Sequence, residues 1–414
     1  MPLANGWTGG QYSLFRLGFG AYLLIHFTHL LPWGPELYSS RGVLPDGSAS
    51  PLLHLFPNVL ALMDSPVAVT ALLAIAAAAS SLFAIGLYDR VTAVVIWYVL
   101  ACTFGRNPLI GNPGLPYVGW MLLAHACIAA APFGSWRGRR APDAGAGWRM
   151  PPEIFAAAWT LMALGYSYSG YTKLVSPSWI DGTAIAHVLA NPLARPGWLR
   201  EALLAAPPTA LRLATWSGLG LELAFAPLAL IRSARPWLWS AMLGMHVTLM
   251  TLIDFADLSL GLVMLHVFTF DPAWIRPRAG ASETLFYDGH CGVCHALVRW
   301  VISEDRGAQA FRFAPLAGPT YQAALGEAER RAIGDSVVVR SGDGRLLTRS
   351  SAVLHVAQRL GGAWRLLAVI GRLIPRPLRD GFYDRFARVR RVFFSAPPDV
   401  CPVLPADLRV RFDA

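Results

Sequence analysis

Two cysteines separated by two residues are the part of the chain best suited to chemistry. Cys291 and Cys294 follow a short apolar run, Leu285–Tyr287, and a turn that contains glycine. A helical pattern begins at the pair and continues to Ile302. A strand, a turn, a CxxC pair and a helix in this order predict a dithiol redox centre.

The predicted helix assigns a different role to each cysteine. Cys291 would lie at the helix N-terminus, where the positive end of the helix dipole stabilises a thiolate. Cys294, one turn later, would be close enough to resolve a mixed disulfide. His290 and His295 flank the pair and would add positive charge.

Three other interpretations of the pair stay open at this point. Two buried thiols without a chemical role are one. The run from Cys291 to His295 also has the c-type haem pattern C-x-x-C-H, but haem is attached outside the cytoplasm. A zinc site would need more ligands than the pair supplies, and Cys401 is the cysteine that would join it. No metal is predicted.

The composition indicates a membrane protein. The 414 residues are 55% hydrophobic and 14% charged, whereas soluble domains carry about a quarter charged residues. Long apolar runs in the first 270 residues or so predict about eight transmembrane helices in a polytopic α-helical domain. They lie near residues 11–31, 66–87, 91–105, 116–132, 153–170, 211–231, 237–253 and 256–271.

The positive charges predict how this domain is oriented. The net charge is +10, but the arginines concentrate in short loops beside the apolar runs, which does not favour nucleic-acid binding. With the N-terminus inside, loops 88–90, 133–152 and 232–236 and the start of the tail hold nine arginines, against five basic residues opposite. The chain is therefore expected in the inner membrane, with its N-terminus and its CxxC segment in the cytoplasm and loop 171–210 outside.

Among the charged or titratable residues in or beside the apolar runs, Glu222, His246 and Lys173 are the strongest candidates for a function, ahead of His26 and His125. Glu222 and His246 lie within runs, and Lys173 lies at the end of the fifth. A charge in a bilayer is costly, so such residues face a cavity or a partner. Hydrogen bonding that only fixes helix packing is the alternative for the first two. Lys173 would either extend its amine to the interface or act as a base.

The chain changes character after a linker at 275–282. The domains expected are a membrane domain over 1–274 and an α/β domain over 283–414. Predicted strands are Thr284–Tyr287, Ala310–Ala314, Asp335–Arg340 and Arg345–Thr348, with a hairpin turn at 341–344. Predicted helices are Cys294–Ser303, Tyr321–Ala332 and Ser351–Leu360. Outside the pair, Cys102 and Cys127 lie in apolar runs and are expected to be core residues.

The run Tyr287–Cys294 resembles the signature of the DCC (DUF393) family of thiol–disulfide oxidoreductases. Later segments agree with it over about 282–414, namely Phe313–Pro315, Ser351–Leu354, Gly361–Trp364, Tyr383–Arg388 and Cys401-Pro402. The resemblance implies a thioredoxin-like fold with Cys291 as nucleophile and Cys294 as resolving cysteine. The cis-proline of thioredoxins has no clear counterpart. Pro315 is one candidate for the position that faces the dithiol, and Ser350-Ser351 is the other.

A second resemblance covers about residues 10–270. The run Ser169–Leu174, followed by Trp179 and Gly182, resembles the HTTM domain, which vitamin K-dependent gamma-carboxylases share. Further agreement comes from Arg16–Gly20, Arg41–Pro45, Asn107-Pro108, Asn112 and His246 with Phe255. By this resemblance Lys173 corresponds to the base that deprotonates reduced vitamin K. Residues 112–117 lack the family's histidine, and no large extracytoplasmic domain is present, which argues against glutamate carboxylation.

The sequence thus predicts a membrane-bound protein-disulfide oxidoreductase acting on a protein or small-molecule disulfide or thiol. A quinone of the menaquinone or vitamin K type, bound near Lys173, His246 and Glu222, is the predicted cofactor. Since that site would lie across the bilayer from the dithiol, a diffusible carrier would have to connect them. The alternatives are a carboxylase-like, quinone-dependent modifying enzyme and a non-enzymatic peptide maturation or export factor.

Overall fold

The computed structural model describes most of the chain and divides it into two compact units. It covers residues 4–129, 135–136, 138, 145–254, 257–307, 309–333, 336–393 and 406–413. The first unit comprises residues 1–4, 15–128 and 151–270, and the second comprises 5–14, 129–150 and 271–414. The fold is mostly helical, with one small mixed sheet in the second unit.

Helices form the first unit, and eight of them coincide with the predicted apolar runs. Proline at the first turn of several helices presets the helical φ angle without losing a hydrogen bond, as at Pro66, where Ser65 also caps the N–H of Ala68. The helices are α1 (Gly9–Leu30, with residues 9–14 in the second unit), α2 (Gly34–Tyr38), α3 (Pro66–Ala84), α4 (Asp89–Arg106), α5 (Leu115–Cys127), α6 (Pro152–Lys173), α7 (Pro177–Ile180), α8 (Ala184–Ala190), α9 (Trp198–Leu204), α10 (Pro208–Ala229), α11 (Arg235–Leu252) and α12 (Asp257–Thr269).

One helix in the described part of the chain, α3, is long and apolar enough to cross a bilayer. The segments Leu115–Cys127 and Ser259–Thr269 are apolar but shorter. Polar residues such as Asp89, Arg90 and Arg106 lower the hydropathy of other helices, here α4. The helices were thus predicted correctly as helices, while the eight-span topology is not confirmed and stays a prediction.

The two cysteines of the first unit differ in exposure. Cys102 is buried in the middle of α4, as expected. Cys127 is exposed at the last residue of α5, so the expectation that it belongs to the core was wrong. Apolar neighbours in sequence do not bury a side chain at a helix end, where one side of the residue has no following turn.

The sheet of the second unit contains four strands in the order β2-β1-β3-β4. They are β1 (Glu283–Tyr287), β2 (Phe311–Pro315), β3 (Val338–Arg340) and β4 (Leu346–Thr348). β1 pairs with β2 in parallel, and β3 is antiparallel to both β1 and β4. The turn predicted at residues 341–344 connects β3 to β4, with Gly344 at a φ of +82° that favours glycine.

Two of the three helices predicted in the second unit are present, and the helices over Gly362–Leu373, Arg376–Phe393 and Ala406–Arg409 were not predicted. The single helix predicted over Tyr321–Ala332 is wrong, because Leu325 is extended and the chain starts a new helix after it. The N–H of Gly326 donates to Glu329 Oε2 at 3.0 Å, which caps that second helix. The helices are α13 (Gly292–Glu304), α14 (Pro319–Ala324), α15 (Glu327–Ile333), α16 (Arg349–Leu360), α17 (Gly362–Leu373), α18 (Arg376–Phe393) and α19 (Ala406–Arg409).

Alternation along β1 supplies both faces of the sheet with core residues. Leu285 and Tyr287 pack with Cys291, Cys294 and α13 on one face. Phe286 packs against Tyr321 of α14 on the other. Successive strand residues point to opposite faces, so a strand apolar at every position is buried on both sides. This two-sided burial fixes the end of β1 and the turn that precedes the dithiol.

The second unit also contains residues far upstream of the predicted boundary at 274. Glu304, at the end of α13, accepts a hydrogen bond from the N–H of Gly10 at 2.8 Å, and a second from the Thr8 hydroxyl. The ring of Tyr12 stacks on that of Trp148 with centroids 5.1 Å apart. A carboxylate at the start of α1 satisfies a backbone N–H that has no intrahelical partner.

Candidate active site

The structure places the dithiol where the sequence predicts it. Cys291 is the N-cap of α13, with extended backbone angles, and the helix begins at Gly292. The preceding turn is held by Asp288, whose backbone oxygen accepts from the N–H of Cys291 at 3.2 Å. Its side chain accepts from the N–H of His290 at 2.9 Å. Cys291 thus lies at the positive end of the α13 dipole, a position that stabilises a thiolate.

Both thiols are buried. Cys291 and Cys294 are each 2% exposed and pack in the cluster that contains Leu285, Tyr287 and Val298. A disulfide substrate must bring its sulfur in line with the attacking thiolate. At this burial, residues around the CxxC turn have to move before a protein disulfide reaches Cys291.

The two histidines beside the pair have different surroundings. His295 is buried, its Nε2 lies 2.9 Å from the carbonyl oxygen of Gly289, and its ring lies edge-on to Tyr287. A carbonyl oxygen only accepts, so this nitrogen carries the proton. His290 is exposed on the turn. Of the two, His295 therefore fixes the turn that carries Cys291, and His290 is the one that meets solvent.

The predicted counterpart of the cis-proline is not found. No cis peptide bond occurs in the described ranges, and Pro315 ends β2 opposite Tyr287 in a trans linkage. Ser350 and Ser351 lie in the first turn of α16, where Ser350 Oγ donates to Asp380. The suggestion that Pro315 is a cis-proline was therefore wrong.

Several positions used in the sequence interpretation lie outside the described residues. They include Cys401, which a zinc site would recruit, Pro402, the strand start at Asp335, and Phe255, which the HTTM resemblance pairs with His246. Neither the zinc alternative nor that pairing is tested by the structure.

A second group of predicted residues meets in the first unit. Lys173 Nζ, at the end of α6, lies 2.5 Å from both carboxylate oxygens of Glu222 in α10. Glu222 is buried, and the ammonium lies 4.4 Å from the ring centroid of Trp179. A buried carboxylate needs such a partner, because an unpaired buried charge is costly.

These two residues line a cavity of about 240 Å³ together with His246. His246 Nε2 lies 2.8 Å from the hydroxyl of Tyr166, and its Nδ1 lies 3.3 Å from that of Ser259. Lys173, Glu222 and His246, chosen from separate runs of sequence, therefore face one space that also contains hydroxyl groups.

Sequence reasoning missed several polar residues of this group. Tyr166 contacts both His246 and His266, with its hydroxyl 3.4 Å from His266 Nε2. Their spacing was an available signal, because Tyr166 precedes Lys173 by seven residues and Ser259 precedes His266 by seven. Residues two helical turns apart lie on the same face of a helix. Each pair was therefore readable as a polar face within an apolar helix.

Comparison with known proteins concerns the C-terminal part of the chain. Residues 285–396 match the family described as DCC1-like thiol-disulfide oxidoreductase. This match supports a thiol–disulfide oxidoreductase domain at the C-terminus. The chain is also 28% identical over 131 residues to a protein of Bacillus subtilis (strain 168) described as uncharacterized protein YuxK, which covers 32% of this chain and 93% of the relative. No solved structure matches.

The DCC1-like match includes Cys291 and Cys294 and begins after the last residue of the first unit. The chemistry assigned to the CxxC pair is thus the activity that the comparison supports. Lys173, His246 and Glu222 lie outside the matched range, so their role stays a prediction that rests on the cavity described above.

Proposed function

We propose that this protein is a membrane-bound thiol–disulfide oxidoreductase whose dithiol is Cys291 and Cys294. The observation that carries the proposal is the position of Cys291 at the N-cap of α13, with Cys294 on the first turn, inside a segment that matches a thiol–disulfide oxidoreductase family. The strand order with parallel β1 and β2, and the dithiol directly after β1, support a thioredoxin-like fold.

In the reductive direction the Cys291 thiolate attacks one sulfur of a substrate disulfide, and the other sulfur leaves as a thiolate. Cys294, as a thiolate, then attacks Cys291 Sγ and forms the intramolecular disulfide while the second substrate thiolate departs. Two electrons pass from the dithiol to the substrate. The same steps in reverse oxidise a substrate dithiol.

We further propose that the cavity of the first unit binds a quinone of the menaquinone or vitamin K type. Reduction of a quinone consumes two electrons and two protons, and the cavity provides the ammonium of Lys173, the imidazole of His246 and the hydroxyl of Tyr166. Donors of this kind bind a carbonyl oxygen and stabilise the negative charge that develops on it. The apolar side chains of the lining, which include Leu249, Leu262 and Leu265, can pack against the carbon ring of the quinone.

The ion pair distinguishes this proposal from the carboxylase-like alternative. Lys173 donates to both oxygens of the buried Glu222 carboxylate, so its nitrogen is engaged in the ion pair. A general base must instead direct a free lone pair at the proton that it accepts. Lys173 is therefore better suited to binding an oxygen of the quinone than to deprotonating a hydroquinone.

The test is a disulfide-reduction assay with the purified full-length chain. A small thiol keeps Cys291 and Cys294 reduced, and the chain should then reduce insulin disulfides. Cys291→Ser should lower the rate to that of the small thiol alone. Cys127→Ser, at an exposed cysteine outside the pair, is the matched control. Insulin reduction that persists in Cys291→Ser would exclude the proposed redox role and leave the peptide maturation or export alternative.

Quinone binding is measured separately, by spectral titration of the same protein with a menaquinone analogue. Lys173→Met should weaken binding, while Cys291→Ser should not. Absence of any spectral change in the wild-type chain would remove the quinone from the proposal without affecting the dithiol.

A further inference from the structure

Two consecutive helices near the end of the described chain have exposed apolar stripes. Along α17, Leu366, Ile370 and Leu373 recur at helical spacing, and along α18 Leu378, Phe382, Phe386 and Val389 do the same. We call these side chains and their neighbours the α17–α18 apolar stripe. Its members, each at least 43% exposed, are Leu366, Leu367, Val369, Ile370, Leu373, Ile374, Leu378, Phe382, Phe386 and Val389.

The helices are attached to the second unit through other faces. Ala368 of α17 is fully buried, and Gly371 lies against Leu354 of α16, so closely that a Cβ there would meet its side chain. In α18, the hydroxyl of Tyr383 accepts a hydrogen bond from the N–H of Val337 at 3.0 Å. The stripe is thus a second apolar face, beyond the face that stabilises the fold, and its exposure requires a separate explanation.

Basic residues border the stripe. Residues 362–393 contain eight arginines and two aspartates. By helical register, Arg372 lies beside the stripe on α17, and Arg385 and Arg388 lie beside it on α18. All three are exposed. Long arginine stems can rest on apolar surface while their charged ends remain in the polar layer.

We propose that the α17–α18 apolar stripe lies in the interface of an anionic lipid bilayer. A helix that exposes an apolar face flanked by arginines has the pattern of helices that lie in the plane of the headgroup region. A second copy of this chain is a poorer occupant, because pairing the same stripe would bring two strongly positive segments together. Anionic headgroups instead complement the arginines, while the acyl boundary takes Leu373, Phe382 and Phe386.

This contact has a consequence for the dithiol. α17 follows directly on α16, and Val356 and Leu360 of α16 belong to the same core cluster as Cys291 and Cys294. A bilayer contact through the stripe would hold the dithiol unit at the membrane surface. The inference depends neither on the crossing of the bilayer by the first unit nor on a bound quinone.

Photo-crosslinking of the full-length chain in vesicles tests the proposal. Benzoylphenylalanine is placed at Phe382 in one variant and at Gln322 in a matched variant. Gln322 is exposed on α14, which packs on the other face of the sheet from Trp364 of α17. In phosphatidylglycerol vesicles, irradiation should give lipid adducts at position 382 and background adducts at 322, as read by mass spectrometry. A covalent dimer through 382, or equal lipid yields at both positions, would overturn the proposal.

A second experiment tests whether the arginines beside the stripe are needed for lipid contact. With the photoreactive group at position 382, the triple change Arg372→Gln, Arg385→Gln and Arg388→Gln should reduce the lipid yield in phosphatidylglycerol. Each arginine near an anionic surface contributes on the order of a fivefold factor to association. Arg331→Gln, at an exposed arginine of α15, is the control and should leave the yield unchanged. If the triple variant crosslinks as well as its parent, anionic lipid is not what the stripe binds.

Discussion

Lys173 and Glu222 form a two-point ion pair between α6 and α10, with the ammonium nitrogen 2.5 Å from each carboxylate oxygen. The lysine is partly exposed and the glutamate is almost fully buried. The two residues therefore differ in what the loss of the partner costs. Water can still solvate the lysine cation, whereas it cannot reach the buried glutamate anion.

We expect this inequality in unfolding experiments. Lys173→Met leaves Glu222 buried without a counter-charge and should cost about 3 kcal/mol of stability. The double change Lys173→Met and Glu222→Leu removes both charges and should recover most of that loss. Thermal unfolding of the detergent-purified chain, followed by tryptophan fluorescence, measures both. Additive effects of the two changes would show that the pair is not coupled.

The two cysteines should behave differently when substituted singly. In Cys294→Ser, Cys291 still attacks a disulfide but no thiol resolves the product, so a mixed disulfide with the substrate should accumulate. In Cys291→Ser it should not. Non-reducing gels with a labelled peptide disulfide, followed by mass spectrometry, identify the trapped cysteine. Trapping on Cys294 instead would reverse the assigned roles.

The predicted orientation is tested with cysteines introduced at exposed positions. Arg195→Cys lies in the loop 171–210 predicted to face outward, and Gln322→Cys lies in the dithiol unit predicted to face the cytoplasm. In intact cells, a membrane-impermeant maleimide should label the first and spare the second until the cells are lysed. Labelling of position 322 before lysis would reverse the orientation derived from the arginine distribution.

The Glu304 carboxyl should make the stability of the second unit depend on pH. Burial raises the pKa of Glu304 above its ordinary value of 4.5, although the hydrogen bonds from Thr8, Trp364 and Gly10 oppose the rise. A raised pKa means that the folded chain binds this proton more readily than the unfolded chain. The stabilisation is complete below pH 4.5 and is lost as the pH rises through the folded value.

The variant Glu304→Gln has no titrating group at this position, so the difference in stability between it and the wild type isolates the pH dependence caused by the Glu304 carboxyl. Its stability relative to wild type should improve steadily as the pH is raised above 4.5. Denaturant unfolding at a series of pH values provides the measurement, and hydrogen exchange at residues 5–14 reports the local effect on the start of α1. A stability difference that is constant across the series would contradict the prediction.

The local pattern of the sequence predicted most of the secondary structure and the dithiol. Apolar runs long enough to be helices became α1, α3 to α6 and α10 to α12, and the short apolar run Leu285–Tyr287 marked the first strand. The position of Cys291 at a helix start follows from residues within a few positions of it, because strand, turn and cap signals are all local. The single helix predicted over Tyr321–Ala332 is two helices in the structure, because the side chain of Glu329 caps the start of a new helix within a continuous helical pattern.

Tertiary structure decided through which contacts the distant groups meet. No spacing in the sequence indicates that Glu222 lies on Lys173 or that Tyr166 lies on His246, because those distances depend on how separate helices pack. Burial is decided in the same way, as Cys127 shows. The dithiol motif is therefore a property of the sequence, while its 2% exposure and the polar cavity of the first unit exist only once the chain has folded.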